Sequence, residues 1–418
     1  MAHLNTCTQL PDILAARQAL QPVVIKTPLQ YHHGLSQKYG CELFIKREDL
    51  QVVRSYKIRG AYHFISSLTE NQRNNGIVCA SAGNHAQGVA FACRKLGIQA
   101  TIYMPAITPR QKIRQVEMLG GDAVETVLLG DTFDESQDYA IAHARQHNKV
   151  FVPPFDHIKI IEGQGTVAAE ILEDCPEVDY LFVPIGGGGL CAGIGAFMAM
   201  ASPRTKIIGA EPLGAPSMTA ALRAGKPVTL DKIQRFVDGA AVKRVGQLTF
   251  PICREVLHDV VLVPEGKVCT VILNLYNEDA IVAEPAGALS LAALEQYAEH
   301  LPGKRVVCVL SGGNNDIDRM QEIKERSLLH EGLKHYFIIR FAQRPGALKE
   351  FVNNILGPTD DIVRFEFIQK HNKETGPALV GIEVKTTRDF QQLMERMNAG
   401  KLNYTLINQH ENLFEYLI

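Results

Sequence analysis

The chain has 418 residues, 46% of them hydrophobic and 21% charged, with a formal net charge of -2 at pH 7. That length allows two or three domains. The scattered, balanced charge excludes the basic stripe of a nucleic-acid binder and the polybasic patch of a membrane-surface protein. The start, MAHLNTCTQL, carries neither the basic segment nor the apolar core of a secretory leader, so the cytoplasm is the expected location. Nine cysteines, Cys7 among them, show no CxxC spacing and sit mostly in apolar runs, which predicts buried, reduced thiols. The fourteen histidines form no HExxH or comparable ligand spacing, so no bound transition metal is expected.

From about 42 to 318, short apolar runs (ELFIK, GIVCAS, ATIYMP, KVFVPP, YLFVPI, KIIGAE, RVVCVLS) alternate with helical-period segments such as HAQGVAFACRKLG and RQKIRQVEMLG. The alternation predicts open, mainly parallel α/β sheets covered on both faces, with ligands beyond the carboxyl ends of the strands. Early in this region VVRSYKIRGAY, 52–62, sets Lys57 among small, aromatic and apolar residues. A lone lysine is ordinarily a solvated charge, so its weight depends on its companions. Arg54 and Arg59 receive no part here.

GIVCAS runs into SAGNHAQG at 81–88. Ser81 and Asn84 suit the capping of a helix that starts near His85, and the free N–H groups of such a start equally suit a carboxylate. YLFVPI runs into Gly186, Gly187, Gly188 and Gly189, whose amides can converge on an anion at the start of the helix LCAGIGAFMAM; a flexible turn is the alternative. Neither a full GxGxxG nor GxxxxGK[ST] is present, so the phosphate would not be that of a dinucleotide or nucleoside triphosphate. The uncharged stretch LFVPIGGGGLCAGIGAFMAMA is broken by Pro184 and the glycines, which predicts strand–loop–helix rather than a membrane span. AEPAGA, 283–288, puts Glu284 at a helix start, and RVVCVL runs into SGGNND with Ser311 at its end. Three strands ending in small, polar, Gly-rich turns form one constellation.

Beyond about 320, QEIKERSLLHEGLKH is a charged helical connector. YFIIRFAQRPGALKEFVNNIL then gives strand, tight turn at Arg344-Pro345-Gly346 and amphipathic helix. IVRFEFIQK and PALVGIEVKT give two strands, and RDFQQLMERMN gives a second helix. A separate βαββα module of about 90 residues is predicted.

A lysine set between Tyr56 and Ile58, a phosphate cradle and an aromatic neighbour point to pyridoxal 5'-phosphate held by an imine to Lys57. RSYKIRGA, SAGNHAQG, GGGG and SGGN, in that order, resemble the fold-type II pyridoxal-phosphate enzymes, and among them the threonine dehydratases (threonine deaminases), over roughly 10–320. The resemblance implies a tryptophan synthase β-like α/β catalytic unit over 1–325, with a smaller subdomain inserted at roughly 55–150. An α+β ACT-like regulatory domain follows at 326–418.

It also implies cofactor contacts from Lys57, Tyr56, Asn84 (to the ring's 3-oxygen), Gly186 to Gly189, Glu284 and Ser311 (to the ring nitrogen). Tyr56 stands where the family usually has Phe. Ser81, counted with Lys57 as catalytic, would bind the substrate carboxylate together with Gly83, Asn84 and His85. Arg344, Gly346 and Leu348 would serve an effector. Three departures from relatives refine the expectation. Serine racemase relatives have a second serine where this chain has Ala82, which argues against racemisation. Those relatives hold a divalent ion where this chain has Glu211, Ala215 and Ser217, so a divalent metal is not expected and a monovalent cation stays open. Cysteine synthase-type relatives have a threonine in place of His85, which argues against β-replacement.

The implied activity is conversion of L-threonine to 2-oxobutyrate and ammonia, and of L-serine to pyruvate, as the first step of isoleucine biosynthesis. Lys57 would be the base, and the Ser311 hydroxyl would leave the ring nitrogen unprotonated. Isoleucine feedback, valine antagonism and a homotetramer are implied by the same resemblance. A non-catalytic amino-acid-binding regulator would leave Lys57 and the glycine loop idle, and a nucleotide-binding oxidoreductase lacks its fingerprint.

Overall fold

The computed structural model describes residues 9–367 and 373–408. Cys7 and the end of the predicted strand IVRFEFIQK (Ile368, Gln369, Lys370) lie outside the described residues. The chain divides between Asp316 and Ile317 into two compact units.

In the first unit, β1 (Leu29–Tyr31) and β2 (Glu42–Arg47) open one sheet. The chain then leaves it to build β3 (Ile77–Ala80), β4 (Ala100–Met104), β5 (Val124–Leu128) and β6 (Val150–Phe151). It returns with β7 (Tyr180–Pro184), β8 (Lys206–Pro212), β9 (Leu257–Val263) and β10 (Arg305–Leu310). The large sheet has the order β1-β2-β10-β7-β8-β9, and the smaller one β5-β4-β3-β6. Every pairing is parallel except β1 with β2. β7 and β10 lie at the centre and are apolar along nearly their whole length, as a strand covered on both faces must be.

The uncharged stretch forms β7, the glycine turn and the helix Gly189–Ala201, which is buried over most of its length. No helix among the described residues is long and apolar enough to cross a membrane. All eight described cysteines are free and buried.

The second unit carries β11 (Lys334–Ala342), the helix Ala347–Asn354, β12 (Asp361–Phe367), β13 (Thr375–Glu383), the helix Thr387–Ala399 and β14 (Asn403–Leu406). Its sheet order is β12-β13-β11-β14, with every pair antiparallel. Phe351, Leu393 and Met397 from the two helices share a core with Phe337, Ile339, Val380 and Ile382 of the sheet. The observed pattern is therefore βαββαβ: the expected module plus a closing edge strand. Thr386 and Asp389 start the second helix reciprocally, each side chain accepting the other's backbone N–H.

Candidate active site

Lys57 is the first residue of the helix Lys57–Ser66. The turn before it is tied to the end of β10. Arg54, at φ 55°, accepts the Gly313 N–H at 2.9 Å, Ser55 bridges Gly312, and Tyr56 donates its N–H to the Ser311 carbonyl at 3.1 Å. Lys57 and Ser311 are thus held by one short antiparallel contact. Lys57 Nζ donates to the Pro154 carbonyl at 2.9 Å and lies 5.4 Å from the centre of the half-buried Tyr56 ring. Burial pulls the amine down to about 8, partly opposed by the charge of Glu284.

Pro154 belongs to a segment that joins several predicted parts. Val152 accepts a hydrogen bond from His85 Nε2 at 3.0 Å. The Phe155 ring lies where a Cβ on Gly187 would fall, 2.4 Å away. Asp156 accepts the backbone N–H groups of Gln247 and Leu248 at 2.8 Å and of Thr249 at 3.3 Å, capping the helix Thr249–Val256. Thr249 in turn donates its hydroxyl to the Gly187 carbonyl at 2.6 Å. Gly188 takes φ +93° at the cap of the helix Gly189–Ala201. The turn's carbonyls are used inward, while the helix's first amides have no intrahelical acceptor and are available to an anion.

Gly83, not Ser81 or Asn84, caps the helix Asn84–Leu96, and no side chain caps it. Ser81 instead accepts the Gly83 N–H at 3.2 Å, a tight turn that leaves the first helical amides open. Space beside Gly83 is empty within 4 Å. Asn84 turns away from its own helix: its Nδ2 donates to Glu284 Oε1 at 2.6 Å, and its Oδ1 accepts from Asn314 at 2.6 Å. His85 is buried and its imidazole is pushed down to about 3, by burial first and by Lys57 second. Its side chain is a neutral strut to Val152, so only its backbone N–H faces an incoming group.

Glu284 caps the helix Pro285–Ala292 in position only; its carboxyl points to Asn84 rather than to the helix. Burial pushes it up to about 7, and Asp238 adds to the rise. Gly312 lets it pass, because a Cβ there would lie 2.2 Å from Glu284 Oε1. The Ser311 hydroxyl is buried and 3.3 Å from the Ala286 carbonyl.

Glu211 accepts the Met218 and Thr219 N–H groups at 2.5 and 3.0 Å and both the Ser217 and Thr219 hydroxyls, which holds the start of the helix Ser217–Ala224. No cluster of three metal-ligating side chains occurs among the described residues. Arg344, Gly346 and Leu348 belong to the second unit. Arg344 pairs with Glu350 through two 2.8 Å contacts, Gly346 has φ +88°, and Leu348 is exposed.

Sequence reasoning missed Pro154, Phe155, Asp156 and Asn314 as site-forming residues. Asn314 stood in the quoted SGGNND, but the other three act through a carbonyl, a ring face and a cap, which no motif advertises. Arg59 also gains a place. It is buried between Glu48 and Glu170, each engaged twice at 2.7–2.8 Å, and Lys46 reaches Glu170 at 2.6 Å. The cluster ties the first turn of the Lys57 helix to the end of β2 and to the helix Ile158–Asp174.

Comparison with known proteins bears on this arrangement. The profile of pyridoxal-phosphate dependent enzymes matches residues 20–312, and that of the C-terminal regulatory domain of threonine dehydratase matches residues 325–417. A Halalkalibacterium halodurans protein named L-threonine dehydratase biosynthetic IlvA is 57% identical over 411 residues, covering 98% of this chain and 99% of the relative. A Bacillus subtilis protein of the same name is 55% identical over 415 residues, covering 99% and 98%. Among solved structures, the processed form of threonine deaminase isoform 2 from Solanum lycopersicum gives a TM-score of 0.73 at 41% identity, covering 76% of this chain and 92% of that one. Maize serine racemase gives 0.71 at 30% identity, covering 78% and 99%.

Proposed function

The chain belongs to the pyridoxal-phosphate dependent enzyme family, and from that premise we propose that it converts L-threonine to 2-oxobutyrate and ammonia, with L-serine giving pyruvate. Water leaves in the elimination and returns in hydrolysis, so ammonia is the net loss. The observation that carries the reading is a desolvated lysine amine bonded to the Pro154 carbonyl, next to the Phe155 ring that packs on the glycine turn, with the preceding Tyr56 tied to the Ser311 backbone at a strand end.

The site fits the cofactor. The amides at the start of the helix Gly189–Ala201 face a turn too tight for any side chain at Gly187, a cradle suited to a phosphate. Lys57 offers the amine, Tyr56 a flanking ring, Asn84 and Glu284 polar contacts, and Ser311 a hydroxyl in place of a carboxylate. Pyridoxal phosphate, when bound, supplies the electron sink for bonds broken at the substrate's α-carbon.

The chain's own groups do the rest. With its amine at about 8, Lys57 is neutral in about a tenth of molecules at pH 7, roughly a hundredfold or more above an ordinary lysine. Because Nζ donates to Pro154, its lone pair points away from that carbonyl, free to take the α-proton. The Ser81 hydroxyl and the open amides of Asn84 and His85 bind the substrate carboxylate beside the empty space at Gly83, whose own N–H is held by Ser81. Phe155 backs the phosphate turn and keeps water from its inner side.

The second unit, with Arg344, Gly346 and Leu348 at its first turn, would bind isoleucine as feedback inhibitor and valine as antagonist. The effector must favour one arrangement of the assembly for this to work. A cytoplasmic homotetramer that opens isoleucine biosynthesis completes the reading. In this reading the catalytic part spans 1–325, with the inserted subdomain at roughly 55–150, and the regulatory part spans 326–418.

The test is release of 2-oxoacid from threonine and serine, with and without isoleucine, on protein showing a borohydride-sensitive visible band. Lys57→Ala should lose the band's borohydride sensitivity and nearly all turnover. Wild-type-level turnover by that variant overturns the mechanism. Light scattering of the purified protein checks the tetramer.

A further inference from the structure

Asn314 makes more contacts than its donors can serve singly. Its Nδ2 lies 2.9 Å from the Val53 carbonyl, 2.6 Å from Asn84 Oδ1 and 2.9 Å from Gln87 Oε1. Two N–H bonds face three acceptors, so one is shared. The Val53 carbonyl is the fixed end of this relay, because a backbone oxygen can only accept. It sets which end of the Asn314 amide points inward, and Asn314 then holds the Asn84 oxygen towards itself. The Asn84 nitrogen is left facing Glu284.

Glu284 cannot set this orientation by itself. Its carboxyl, pushed up to about 7 by burial, is protonated in much of the population near neutral pH, and a protonated carboxyl can donate to an oxygen as readily as it can accept from an amide. Asn314 and Gln87 keep their polarity at every pH of interest. An Asn84 turned the other way would oppose its nitrogen to that of Asn314 at 2.6 Å.

We infer that Asn314 is a positioning residue for the cofactor: it fixes the Asn84 amide so that an N–H, not a carbonyl, is offered to the oxygen on the pyridine ring. The inference rests on the functional reading above. It concerns how Asn84 is oriented, beyond the contact itself.

The test is a double-mutant cycle on the full chain, freed of cofactor and titrated with pyridoxal phosphate while the visible band is followed. Asn314→Ala should weaken cofactor binding about tenfold and displace the pH dependence of the band, the size expected for one lost polar contact. In an Asn84→Ala background the same substitution should change binding by no more than about twofold, because its route of action is gone. The near-isosteric Asn314→Leu, which keeps the volume and loses the donors without adding a charge, carries the same expectation and serves if the alanine variant does not fold. Full additivity of Asn314→Ala and Asn84→Ala, or wild-type affinity in Asn314→Ala, overturns the inference alone. Wild-type protein that takes up no pyridoxal phosphate overturns the functional reading, and this inference with it.

Discussion

Lys57 and Glu284 are displaced from opposite ends of the pH scale towards the middle, to about 8 and about 7, by the same burial. Each shift has a sign for stability in the cofactor-free protein. Lys57, held low, contributes stability above its ordinary value that is lost as pH falls through about 8. Glu284, held high, contributes stability in acid that is lost as pH rises through about 7. Glu284→Gln therefore should gain stability over wild type as pH rises from about 4.5 to about 7, read as a growing difference in urea midpoints. The Glu284 charge also raises Lys57, so the same variant should move the amine lower still. Borohydride-trapped pyridoxyl labelling of Lys57 should then persist to lower pH than in wild type. An unchanged or higher midpoint would contradict the electrostatic link.

At the scale of elements, the buried cluster of Arg59, Glu48, Glu170 and Lys46 fixes where the Lys57 helix begins. Burial would raise the Glu48 carboxyl, yet Arg59 and Lys46 hold it below its ordinary value. Arg59→Met strands two carboxylates against one ammonium and should cost about 3–5 kcal/mol by denaturant midpoint. The deficit should shrink in acid, since Glu48 stabilises above its unfolded value and loses that contribution as pH falls.

Elements also decide what could be read beforehand. The central strands β2, β10, β7 and β8 announced themselves because burial on both faces demands continuous apolar runs. The unforeseen strands β1, β5, β9 and β14 are all sheet edges, with one side open and correspondingly mixed sequences. Lys57, the glycines, Asn84 and Ser311 carried residue-type signals. Side-chain direction did not show: Ser81 and Asn84 look like caps and are not, because a turn at Gly83 and the pull of Glu284 and Asn314 redirect them.

For the whole molecule, the two units have separate cores, and the second carries its own four-stranded sheet. Removing residues 330–418 should abolish the response to isoleucine while threonine is still turned over. Retained isoleucine inhibition in the shortened chain would place the effector elsewhere.

The order of the large sheet also bears on the history of each molecule. β2 and β10 lie side by side, with Glu42 opposite Arg305 although 263 positions separate them, whereas the smaller sheet draws only on 77–151. During synthesis the local sheet can close early, but the long-range pairing must wait for the ribosome to release β10. Ser311 and Asn314 follow directly behind that strand. The reactive amine is therefore without its partners until the first unit is almost fully made, and vitamin capture belongs to the finished domain rather than to the growing chain.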